Sequence, residues 1–251
     1  MPSPFGEVKV AASLDLETPT FVSFTQSARD WETGLNNVLK PLLERSGSSW
    51  TREQAINAYL EEEHKIETED PSMLYSNIIS TAVERVAAQL GTTLSSEERT
   101  AAGESIRSWP PFPDTVNALE RLSKHYVLII LSNVDLESFG YTRKLLEHGF
   151  TFNKILTAQE IGSYKPDEKN FLYMLNTAKG EFGVDKEQVL VTAQSLMHDH
   201  VPANSLGLAS AWISRREATC HVDNVSYTFK FPTMGAMADA LEAELQSSTN
   251  A

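Results

Sequence analysis

Tyr126-Val127-Leu128-Ile129-Ile130-Leu131 is six apolar residues in a row, and Ser132-Asn133-Val134-Asp135 follows at once. So short an apolar run, closed by turn-type polar residues, predicts a strand buried on both faces. Outward from it the chain alternates. A helix over 114–124 precedes the run and another over 137–148 follows it. Then come the strand Lys154–Thr157, a helix over 167–179, the strand Val189–Thr192, a short helix near 201–206 and the strand Ala209–Ile213. A last helix, over 234–246, buries Met237, Leu241 and Leu245. Strand–helix alternation with continuously apolar strands predicts a parallel sheet covered on both faces.

Upstream the pattern changes. Thr20-Phe21-Val22-Ser23-Phe24 reads as a first strand. Three consecutive helices follow with no strand between them, and the sequence holds no internal repeat. The first spans residues 35–46 and stops at Gly47. The second spans 52–63, with Ala55, Ile56, Tyr59 and Leu60 inward and Glu61-Glu62-Glu63 as its solvated end. The third spans 74–90 and closes at Gly91. The predicted fold class is therefore α/β: a Rossmann-like parallel core, residues 1–30 and 109–251, with a helical cap inserted over 31–108. Ligands in such sheets sit at the carboxyl ends of the strands.

Composition restricts the partners. Among 251 residues the formal net charge is -13, which argues against nucleic acid or an anionic membrane, since both are held by Lys and Arg. No apolar run is long enough to span a bilayer. The lone Cys220 cannot form an internal disulfide, and Met1-Pro2-Ser3-Pro4 does not begin a signal peptide. The expectation is a cytoplasmic protein acting on a small, apolar molecule; the sequence also leaves room for a homodimer.

Three polar loops fall just after strands: Ser132-Asn133, then Gly162-Ser163-Tyr164-Lys165-Pro166-Asp167, then Gln194-Ser195 through His198-Asp199-His200. A lysine opposite an aspartate can position a negative intermediate, or can persist as a structural ion pair. Ser132 and Asn133 can bind an oxyanion, or can cap the next helix. His198 and His200 flank an acid, but two histidines and one carboxylate are weak evidence for a metal, and loop hydrogen bonding is the simpler reading. Trp50, Tyr59, Tyr75 and Trp109 read mostly as core, with one or two available to line a pocket.

Leu131-Ser132-Asn133, Tyr164-Lys165-Pro166-Asp167 and Ala193-Gln194-Ser195 through Asp199 resemble motifs two, three and four of the haloacid dehalogenase superfamily, nearest to its type II 2-haloacid dehalogenase branch. Trp109-Pro110-Pro111-Phe112-Pro113-Asp114 and Ala211-Trp212-Ile213-Ser214-Arg215 resemble its flanking segments, and Asp30-Trp31-Glu32-Thr33-Gly34 its cap entry. The likeness covers about residues 20–240.

Motif one departs from that pattern. The family's first strand runs into Phe-Asp-x-x-Gly-Thr-Leu, whose first Asp is the nucleophile and, in metal-using relatives, a magnesium ligand. Here Phe24 is followed by Thr25-Gln26-Ser27-Ala28-Arg29. Threonine without an adjacent base is a poor substitute for a carboxylate. Asp15-Leu16-Glu17 mimics motif one, but Phe21–Phe24 has the better spacing to the cap. The resemblance with this gap predicts no metal and no cofactor. It makes Ser132, Lys165, His198 and Asp199 the candidate catalytic residues, and Thr25, Gln26, Arg29, Trp31, Asn133 and Tyr164 the candidate substrate contacts. Three functions follow: a non-hydrolytic cyclisation, cycloaddition, isomerisation or elimination on a natural-product intermediate; a hydrolase using a displaced acid or activated water; or a noncatalytic small-molecule binder.

Overall fold

A computed structural model describes residues 20–24 by their backbone, and residues 29–215, 222 and 224–249. Asp15, Thr25, Gln26 and Cys220, singled out above, lie outside the described residues.

Among the described residues, six strands form one parallel sheet: β1 Thr20–Phe24, β2 Tyr126–Ser132, β3 Lys154–Thr157, β4 Val189–Ala193, β5 Ala209–Ile213 and β6 Phe229–Phe231, in the order β3-β2-β1-β4-β5-β6. The three-residue β6 pairs with β5 and is too short to carry a sequence pattern of its own. After β1 the chain builds outward to β2 and β3, then returns to place β4 on the other side of β1. That reversal opens a crevice beside the carboxyl end of β1. Register aligns the ends, Phe24 lying beside Ile130 and Thr192, and Ser132 beside Thr157.

Both faces of the sheet are covered, and strand alternation divides its side chains. Leu128, Ile130, Leu190, Ala211 and Ile213 pack with α5 (Thr115–Leu122) and the last helix, α8 (Met234–Thr249), in a core that continues into the helical insertion. Ile129, Leu131, Val189 and Val191 face the other way, onto Phe171, Met174 and Ala178 of α7 (Glu168–Phe182).

Among the described residues, four α-helices stand between β1 and α5: α1 Trp31–Ser46, α2 Arg52–Glu69, α3 Tyr75–Gln89 and α4 Ser96–Glu104. The segments leading in and out run side by side. Arg29 and Pro111 form an antiparallel bridge, and the Asp30 amide donates to the Pro110 carbonyl at 2.9 Å.

Two corrections concern this insertion. The fourth helix, α4, is mostly polar and so has no strong apolar period; its sequence signal is the capping box, in which Ser95 and Glu98 satisfy each other's backbone amides. The second helix does not end at a solvated Glu61-Glu62-Glu63. It runs six residues further, and Glu62 and Glu63 are buried. Each has one partner on the same helix, Lys65 for Glu62 and Tyr59 for Glu63, and others that only the tertiary structure brings from α3: Arg85 and Gln89 for Glu62, Tyr75 for Glu63. A charge run is buried when such partners offset its desolvation.

Candidate functional site

Lys165 and Asp199 sit under the strand ends. Lys165 Nζ lies 2.7 Å from Asp199 Oδ1, each side chain is 2% exposed, and Nζ also donates to the Leu131 carbonyl at 3.0 Å. Burial pulls the lysine's pKa down, and Asp199 opposes that pull. Asn133 fixes the lysine's backbone from both sides: Asn133 Oδ1 accepts from the Lys165 amide at 2.7 Å, and Nδ2 donates to the Lys165 carbonyl at 3.0 Å. Asn133 is thus a clamp between two loops and does not cap the following helix. That role belongs to Asp135, whose Oδ1 accepts from the Ser138 amide at 2.8 Å at the start of α6 (Leu136–Leu146).

A cleft opens between the insertion and the sheet edge, lined by Arg29, Trp31, Tyr75, Trp109, Ser132 and Phe139 among others. Its free volume is about 40 Å³, room for a few water molecules. A ligand of natural-product size has to displace side chains or shift the insertion. Arg29 is buried at its edge. The guanidinium donates from Nε to the Trp109 carbonyl at 2.7 Å and from Nη1 to Thr142 Oγ1 at 2.6 Å, and Nη2 also reaches Trp109 O. Burial lowers its pKa to about 10, so it stays charged at neutral pH.

The remaining candidates disperse. The Tyr164 hydroxyl donates to the Met73 carbonyl at 2.8 Å, so it ties a core loop to the insertion. His198 Nδ1 lies 3.2 Å from Ser195 Oγ. His200 is fully buried against Ser210 and the Ala193 carbonyl. Burial lowers both imidazole pKa values. Of the predicted set, Lys165, Asn133 and Asp199 come together as one group, and Arg29, Trp31 and Ser132 share the cleft; Thr25 and Gln26 fall outside the described residues.

Sequence reasoning missed the acidic face of α2. Glu63 Oε1 accepts from Tyr59 at 3.0 Å and from Tyr75 at 2.8 Å, and Glu67 lies one turn further on. Burial raises the pKa of Glu63, and burial with Glu63 beside it raises that of Glu67 to about 9. The available signal was helical spacing, since Tyr59, Glu63 and Glu67 continue the stripe that holds Ala55, Ile56 and Ile66.

The donors do not suit a divalent cation. Asp199 is ion-paired to Lys165, and among the described residues no three His, Cys, Asp or Glu side chains converge. No helix among them is long and apolar enough to cross a membrane.

No protein-family model matches this sequence, and no curated protein matches it significantly. Solved structures do. The L-2-haloacid dehalogenase from Xanthobacter autotrophicus superposes with a TM-score of 0.74 at 13% identity, over 90% of this chain and 99% of its own. A defluorinating L-2-haloacid dehalogenase gives 0.71 at 16%, over 90% and 96%. The fold is haloacid dehalogenase-like. At these identities the likeness extends to architecture alone. Within this haloacid dehalogenase-like fold, Lys165, Asn133 and Asp199 occupy the carboxyl edge of the sheet, beneath the helical insertion.

Proposed function

We propose that this chain is an enzyme of haloacid dehalogenase-like fold that works without an aspartyl nucleophile. It catalyses a non-hydrolytic cyclisation, isomerisation or elimination on an apolar intermediate, held between a cap of residues 31–108 and the α/β core. One observation carries this reading: the aspartates around the described strand ends are already committed. Asp30 caps α1, accepting from the Thr33 amide at 3.1 Å and the Thr33 hydroxyl at 2.8 Å. Asp135 caps α6 and accepts from the Tyr75 amide at 3.1 Å. Asp199 holds Lys165. The sequence places Thr25, not an acid, directly after β1.

What remains suits conformational and electrostatic catalysis. Apolar walls can hold a flexible substrate in a reactive conformer, which supplies several kcal/mol, and buried donors can polarise a carbonyl. No metal is assigned a role. A hydrolase is the second reading, favoured by the retained Lys165–Asn133–Asp199 cluster and by the solved dehalogenases of the same fold.

The test is halide release from 2-chloro- and 2-fluoroacids and phosphate release from a generic phosphomonoester, with Asp15→Asn and Asp30→Asn alongside the wild type. The expected result is no release above the buffer blank. Robust release that either substitution abolishes would establish the hydrolase and overturn the proposal.

A further inference from the structure

Arg29 and Trp109 stand on the two segments that lead into and out of the insertion, and both line the cleft. Arg29 is 6% exposed, yet among the described residues no carboxylate pairs with it. Its acceptors are the Trp109 carbonyl and the Thr142 hydroxyl, both neutral. A guanidinium offers five N–H groups, so the three bonds it makes leave two unassigned. Trp109 is 5% exposed, and its buried Nε1 has no hydrogen-bond partner among the described residues.

These are two independent deficits of the same kind. An indole nitrogen can only donate, and a buried donor left without an acceptor calls for an explanation. A buried cation calls for an anion, because charge taken out of water is costly unless it is paired. The neighbouring polar groups do not fill the gap: the Tyr75 hydroxyl is turned to Glu63, and Thr142 Oγ1 already accepts from Arg29. The cleft therefore holds a surplus of donors and one positive charge among apolar walls such as Ile106, Ile130, Val134 and Phe139.

We propose that the cleft is a carboxylate-binding site, in which Arg29 and the Trp109 indole N–H hold the ionised head of an otherwise apolar carboxylic acid. A carboxylate brings one negative charge to one guanidinium and offers lone pairs to each waiting N–H. A neutral carbonyl would leave the cation unpaired, and a phosphate dianion would bring more charge than one cation offsets. The three heavy atoms of the head suit a free volume of about 40 Å³; the apolar body needs the side-chain movement noted above. Neither residue belongs to the three polar loops that follow the strands. The proposal rests on the reading that the cleft takes an apolar small molecule, and names the polar end of that molecule. Halide release would sink that reading, whereas the measurement below addresses Arg29 and Trp109 alone.

The experiment is proton–nitrogen correlation NMR of the full-length protein at pH 7 with isotope-labelled tryptophan, using octanoate as the probe and 1-octanol and chloride as its controls. The four tryptophans give four indole signals, and Trp109→Phe, which keeps a ring and loses the N–H, identifies the one from Trp109. Octanoate is expected to move that signal downfield, and 1-octanol and chloride to leave it in place. By calorimetry, Trp109→Phe should weaken octanoate binding about tenfold, and Arg29→Gln by more, with Arg29→Lys recovering part of the loss. Should Trp109→Phe fail to fold, Trp31→Phe, Trp50→Phe and Trp212→Phe identify the signal by elimination. A Trp109 signal that octanoate does not move, or that 1-octanol or chloride moves as far, overturns the assignment.

Discussion

Asp199→Asn is the substitution whose outcome the structure bounds most closely. It removes the anion 2.7 Å from a lysine whose side chain is 2% exposed, leaving the Leu131 carbonyl at 3.0 Å and an amide oxygen as partners. Breaking a buried pair from one side costs about 3–5 kcal/mol. There is also a ceiling. Lys165 can escape by losing its proton, and from an ordinary value of 10.5 that costs roughly 5 kcal/mol at pH 7, at about 1.4 kcal/mol per pH unit. The penalty for Asp199→Asn is thus expected at about 3–5 kcal/mol at pH 7. Where the ceiling governs, it falls to roughly 2 kcal/mol by pH 9. Against a total stability of about 5–15 kcal/mol this is a large loss, and for a chain of this size it lowers Tm by roughly 6–20 °C. Lys165→Met strips Asp199 of its cation and should cost a similar amount, while the double substitution should recover most of the loss. The assay is urea unfolding of the four proteins at pH 7 and 9, read as a double-mutant cycle. A cost below about 1 kcal/mol for Asp199→Asn at pH 7, with no coupling to Lys165→Met, would refute the placement of this pair in the interior.

Gly34→Ala should destabilise by about 1–3 kcal/mol, measured by thermal unfolding, because a Cβ there would stand 2.3 Å from Trp109 Cδ1; an unchanged Tm would mean that α1 and Trp109 are not packed so closely. Tyr75→Phe removes the 2.8 Å hydroxyl donor to the buried Glu63 and should cost about 1.5–3 kcal/mol in the same assay, with Tyr59→Phe costing less for its longer 3.0 Å contact. Glu67, whose folded pKa is raised to about 9 from 4.5, binds a proton in the folded state that the unfolded chain has released. Its stabilisation is complete below pH 4.5 and is lost as pH rises through 9. Wild type minus Glu67→Gln in unfolding free energy should therefore fall by about 1.4 kcal/mol per pH unit between pH 7 and 9, and a flat difference would show Glu67 already ionised.

Much of the architecture was legible in one dimension because burial writes its period into the chain. Five of the six strands were readable: a strand covered on both faces must be continuously apolar, and Tyr126–Leu131 and Val189–Thr192 are. Helices such as Tyr75–Gln89 carry an apolar stripe that only a 3.6-residue repeat can bury on one side. The short β6 carried no such pattern, because three residues are too few to show a period. The loops bearing Asn133, Lys165 and Asp199 were legible as polar segments that follow strands. Their roles were not. Asn133 reads from the sequence as a substrate contact or a helix cap, and only its two bonds to Lys165, across a separation of 32 residues, show it as a clamp. Glu61-Glu62-Glu63 reads as solvent-facing because charge ordinarily is. Whether a carboxylate is buried depends on donors from elsewhere in the chain: here Tyr75 for Glu63, twelve residues on, and Arg85 and Gln89 for Glu62. Local sequence sets which faces are apolar, while the desolvation of a charged group is offset only by partners that the fold brings to it.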